Sequence, residues 1–110
     1  MANKTVTINV YGNGDFNYSY ALLGVKSGDT ITWSADTDTG AFAITFRTAD
    51  TPLTTGGLEL KSSDSPVNTI VGTIRAGLPI GTVYRYSVTA TNVPSNTTWS
   101  DVGCPELIIR

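Results

Sequence analysis

Histidine is absent from this chain and cysteine occurs once, at Cys104. Those two scarcities remove most of the side chains that do acid–base or soft-metal chemistry near neutral pH. A triad or general base built on imidazole is excluded. A lone thiol cannot close an internal disulfide, so the fold has to rest on packing. Gly103-Cys104-Pro105 also offers no cation to stabilise a thiolate, which reads as an ordinary half-buried cysteine. Charge is thin as well, with seven Lys and Arg against nine Asp and Glu, 15% of 110 residues and net −2. Such a surface has no basic footprint for nucleic acid or an anionic membrane. No apolar run approaches the roughly 18 residues that cross a bilayer. MANKTVTINV starts an alternating strand almost at once and lacks the long apolar segment of a signal peptide. The expectation is a soluble chain, either cytoplasmic by default or a mature form with an added Met, without nucleic-acid or membrane partners.

What is abundant points one way. The chain has 18 Thr, 9 Ser and 11 Gly, with few Leu, Glu, Lys and Ala. β-Branched and turn residues are rich and helix formers poor, so the composition is all-β. A length of 110 residues implies one domain, 1–110, able to bury roughly two-thirds of its unfolded surface.

Val25 to Phe46, VKSGDTITWSADTDTGAFAITF, is the organising stretch. Ser27-Gly28-Asp29 signals a turn. Ile31 and Trp33 then alternate with hydroxyl residues, and Phe42, Ile44 and Phe46 alternate with Ala43 and Thr45. This period of two predicts half-buried strands. The polar loop between them makes the pair either a hairpin or a bridge between two sheets. Val6, Ile8 and Val10 predict a first strand. After the turn Gly12 to Asp15, Phe16, Tyr18, Tyr20 and Leu22 are expected on one face, with Gly24 as a break. Arg47 to Pro66 is looser, and Leu58 to Leu60 is either a short edge strand or a helical turn. Val67 to Ile74 is strand-like, with Gly72 as a bulge or close approach. Val83 to Thr91 alternates strictly, placing Tyr84, Tyr86, Val88 and Ala90 on one face. Asn92 to Gly103 reads as a polar loop, and Leu107 to Ile109 as a last, edge-exposed strand. Seven or eight short strands spaced by about 8 to 12 residues read as a β-sandwich or barrel.

Few residues carry candidate chemistry. Asp36 and Asp38 in DTDTG could pair as carboxylates or supply oxygen ligands. No acidic residue follows before Asp50, so capping of the loop is the expected role. Lys26-Ser27 and Lys61-Ser62 are adjacent in sequence, but a Ser-Lys pair needs a desolvated lysine, and turn residues are solvated. Trp33 lies on an alternating face and is expected in the core. Trp99 sits in the polar SNTTWSD segment, either as a stacking platform or as a lid folded over the sandwich end. Arg85 is expected to be solvated or paired across the sheet. Three Asn-x-Ser/Thr triplets, at Asn3, Asn17 and Asn96, carry little weight in so Thr-rich a chain.

GDTITW, a polar loop, AFAITF, YRYSV and a short terminal strand together resemble the cupredoxin family, over most of the chain. The resemblance implies a Greek-key sandwich, and it also shows where this sequence departs. Phe42 falls where the first histidine ligand would be and Val88 where the cysteine would be. Thr91 and Asn92 stand where the second histidine belongs. A blue-copper centre needs two imidazoles and a thiolate, so the expected cofactor is none. The alternative fold is an immunoglobulin-like sandwich, although its Cys…Trp…Cys framework is missing. The expected function is a non-catalytic, metal-free structural or protein-interaction module, with a second copy of itself or another protein as partner. The competing function is a small-ligand or carbohydrate-binding module using Trp99, Asp36 and Asp38.

Overall fold

The computed structural model describes residues 2–46, 51–54, 57–65, 67–102 and 105–110. Ten strands run through them: β1 (Asn3–Val10), β2 (Phe16–Tyr18), β3 (Leu22–Val25), β4 (Thr30–Ala35), β5 (Thr39–Phe46), β6 (Glu59–Lys61), β7 (Thr69–Thr73), β8 (Val83–Asn92), β9 (Thr97–Asp101) and β10 (Glu106–Ile109). They form two sheets. One has the order β2-β1-β4-β7; the other has β3-β10-β8-β5-β6, with β9 on the distal half of β8. Alternation decides what lies between them. β1 buries Val6, Ile8 and Val10, β4 buries Ile31 and Trp33, and β8 buries Tyr84, Tyr86, Val88 and Ala90. Each large side chain so buried contributes about 1.5–3 kcal/mol relative to exposure.

β4 belongs to the first sheet and β5 to the second, so the organising stretch bridges the layers and is not a hairpin. β1 runs parallel to β4, with Val6 opposite Trp33. β5 runs antiparallel to β8, with Ile44 opposite Val88. Trp33, Phe46 and Tyr86 meet at the centre, the Trp33 and Tyr86 rings edge-on at 5.9 Å and Phe46 5.7 Å from Tyr86. The expected close approach at Gly72 is present: a Cβ there would lie 2.6 Å from Leu53 Cδ1. The short strand expected near Leu58 to Leu60 forms β6 on the sheet edge and ends in a 3-10 turn, Ser62–Asp64. Arg85 is paired across the sheet, its Nε 2.9 Å from Glu106 Oε2.

Four expectations fail for identifiable reasons. Phe16 to Leu22 is not one strand, because the chain changes sheets inside it. Ser19 N still donates to Thr7 O in the first sheet, whereas Ala21 O already accepts from Glu106 N in the second. The alternation restarts in the opposite phase, so Leu23 and Val25 are buried while Tyr20 and Leu22 are exposed. Gly24 therefore lies within β3, not at a break. The segment read as a polar loop forms β9, whose Thr97 to Asp101 pair with β8. β10 is no edge strand either, since it sits between β3 and β8. Among the described residues no helix is long and apolar enough to cross a membrane. Cys104 lies outside the described residues.

Candidate functional site

The loops after β1, β4 and β8 gather at one end of the sandwich. There β5 departs from regular pairing, with Thr39 opposite Asn92 and Phe42 opposite Ala90, so an extra residue is accommodated in β5. A bulge leaves ladder groups needing other partners. Where β6 stops, side chains take over. Phe42 N donates to Ser62 Oγ at 2.8 Å, and Asn68 Nδ2 donates to Gly40 O at 3.0 Å. Ser62 is fully buried and donates in turn to Asn68 Oδ1. Asn68 holds a left-handed backbone, φ 55°, which a short amide side chain tolerates better than most.

A second neutral network ties this bulge to β1. Val10 N donates to Thr39 Oγ1 at 2.9 Å, and Thr39 Oγ1 donates to Asn9 Oδ1 at 3.0 Å. Asn92 Nδ2 donates to Val10 O at 2.8 Å, while its Oδ1 accepts from Ser95 N and Ser95 Oγ. Thr39 and Asn92 are both buried. Buried amides and hydroxyls are tolerated because each has partners, and such networks fix one geometry.

Beneath these groups lie the positions that the sequence resemblance singles out. Phe42 and Val88 are 3% and 0% exposed on neighbouring strands, diagonal to each other across the Ile44–Val88 and Phe42–Ala90 pairs. Both point into the core, and neither carries a donor atom. Thr91 bonds Thr98 through its hydroxyl, and Asn92 is spent on Val10 and Ser95. The chain has no histidine, and the described residues contain no group of three His, Cys, Asp or Glu side chains that could hold a metal. The residues present do not fit a type 1 copper ion, whose trigonal plane takes imidazole and thiolate.

Asp36 and Asp38 are exposed on the β4–β5 loop. Asp36 Oδ1 accepts from Thr37 N at 2.7 Å, and Asp36 O accepts from Thr39 N, so the residue shapes its own turn. Val93 N donates to Asp38 O at 2.8 Å, bringing that loop against the β8–β9 turn. Trp99 is partly buried on β9, opposite Ala90. Its ring lies over Gly14, where a Cβ would come within 2.6 Å of Trp99 Cε3. Trp99 Nε1 is buried without a hydrogen-bond partner among the described residues. Beside it, Tyr18 hydroxyl donates to Asp101 Oδ2 at 2.6 Å, joining the free edges of the two sheets. The fold thus places Trp99, Asp36 and Asp38 at the same end, with no hydrogen bond between the tryptophan and either carboxylate. Sequence reasoning missed the network of Thr39, Ser62, Asn68 and Asn92. Asn92 had a signal, since it continues the inward phase of Tyr84, Tyr86, Val88 and Ala90 as a polar residue.

The two-sheet sandwich has a cupredoxin-like fold, as comparison with a solved pseudoazurin shows. A pseudoazurin from Sinorhizobium meliloti superposes on 100% of this chain and 75% of its own length, with TM-score 0.52 at 15% identity. Two amicyanin variants in their Cu(I) forms cover 96% of this chain and 82% of theirs, with TM-scores 0.46 and 0.47 at 15% identity. Identity this low speaks to the fold alone. No protein-family profile and no curated protein matches the sequence.

Proposed function

We propose that this chain is a non-catalytic, metal-free structural or protein-interaction module able to self-associate. One observation carries the reading. The end of the sandwich that would house a cofactor holds Phe42, Ile44, Val88 and Ala90 under a neutral, mutually satisfied network. These groups can neither transfer a proton at neutral pH nor hold a soft metal, and what they supply is rigidity. A rigid sandwich with little charge offers its surface. Val67 and Val71, 71% and 58% exposed just before and on β7, are the kind of side chains a partner would cover.

Sedimentation velocity over a range reaching high micromolar concentration tests self-association: a concentration-dependent dimer is expected, and a monomer throughout removes that part of the reading. Titration with copper checks the metal-free part. An intense thiolate charge-transfer band would overturn it.

A second reading is supported by the Val93–Asp38 hydrogen bond, which draws the Asp36 to Gly40 loop toward the hairpin carrying Trp99. In that reading the end binds a small ligand or carbohydrate. A glycan array with the protein and with W99A separates it from the first, since stacking on Trp99 is its only platform.

A further inference from the structure

We propose that the crevice between β1 and β3, at the opposite end of β1 from the Trp99 region, binds a small carboxylate that carries an apolar chain. The crevice has a volume of about 650 Å³, within the range of small-ligand pockets. Its walls combine two cations with exposed apolar groups, Lys4 and Arg110 beside Tyr20 and Leu22, over a floor of Leu23 and Gly24. Tyr20 and Leu22 are 53% and 52% exposed, because the change of sheets at residues 19–21 turns them outward.

The two cations differ in how far they are already engaged. Lys4 Nζ donates to Gly24 O and lies 3.7 Å from Asp29 Oδ2. Asp29 is itself satisfied by the backbone N–H groups of Ala2 and Lys26. Arg110 has no acidic side-chain partner among the described residues. Its side chain lies over Gly24, where an added Cβ would run into Nε and Cδ. The missing side chain at Gly24 therefore leaves room for the arginine side chain against the strand. A guanidinium held in this way suits a carboxylate through paired N–H···O bonds, and less rotamer freedom is lost on binding than for a free side chain. The apolar chain of the ligand would then cover Leu22 and the Tyr20 ring, which water otherwise faces. An anion without an apolar part, or an apolar chain without an anion, satisfies only half of the site.

The test is a titration of the full chain followed by amide chemical shifts, with decanoate below its micelle-forming concentration as probe and with acetate and decanol as controls. Saturable shifts at Leu22, Leu23 and Gly24 are expected with decanoate, and much weaker binding with either control. Arg110→Gln should weaken decanoate roughly tenfold, about the worth of one charge-assisted hydrogen bond. Gly24→Ala keeps every charge but displaces the arginine, and should also weaken binding. Leu22→Ser should lower affinity for decanoate and leave acetate unchanged. Absence of saturable shifts at these amides overturns the proposal. So does decanol binding as tightly as decanoate, or Arg110→Gln binding as tightly as the parent.

Discussion

Trp33 Nε1 donates to the hydroxyl of Tyr86 at 3.2 Å, joining the two sheets through the middle of the core. Both side chains are fully buried, and among the described residues each is the other's side-chain hydrogen-bond partner. Burial pushes the Tyr86 hydroxyl up to about 12, against the opposing pull of the bond from Trp33. Because the folded value exceeds the unfolded one, the contribution is complete below about pH 10. It is lost as pH rises toward 12, by up to roughly 2–3 kcal/mol. Tyr86→Phe should remove that part of the alkaline slope. It should also destabilise the protein at neutral pH by about 1–3 kcal/mol, since the indole N–H is left without a partner. Urea unfolding of both proteins from pH 7 to 11 reads the two effects separately.

Asp29 should govern the acid side. Burial alone would raise its pKa, but the N–H groups of Lys26 and Ala2 and the nearby Lys4 outweigh it and hold the carboxyl below its ordinary value. A depressed value means stability present above the unfolded pKa and lost as pH falls below about 4. The stability difference between the parent and Asp29→Asn should therefore shrink on acidification. A difference that is constant from pH 6 to pH 2 would contradict the assignment.

Ser62→Ala should cost about 1–3 kcal/mol, more than a surface serine in a turn would, because Phe42 N–H becomes a buried donor with no acceptor. Hydrogen exchange at the Phe42 amide should rise well beyond that of its neighbours in β5. Unchanged protection there would show that another group replaces the hydroxyl.

Gly14→Ala meets two obstacles at once. The residue has φ 92°, which costs an L-residue about 1–2 kcal/mol, and the added methyl would strike the Trp99 ring. Tryptophan emission should shift to the red as Trp99 lifts away, while Trp33 stays buried. An unshifted spectrum with full stability would mean that the ring is not seated on Gly14.

How much of this was readable beforehand varies along the chain. Where a strand stays in one sheet and one face is buried, the period of two writes the core into the sequence. Val6 to Val10, Ile31 to Trp33 and Tyr84 to Ala90 are of this kind. Where the chain changes layers, the same pattern misleads, as at Phe16 to Leu22. The two runs of alternation are each regular, but the phase between them depends on which edge receives the second. β9 was hidden because Thr97, Thr98 and Ser100 have short polar side chains that suit a loop or an exposed strand equally well, and only the free edge of β8 selects the strand.

The sequence alone removed imidazole chemistry and marked the core of those strands that stay in one sheet, because side-chain type and alternation are local properties. Missing imidazoles stay missing in any fold. Only the tertiary structure decided that Thr39, Ser62, Asn68 and Asn92 converge to close one end, and that Arg110 lies across Gly24 at the other. Those contacts join residues far apart in the chain, and their energies depend on burial and geometry that no local pattern encodes.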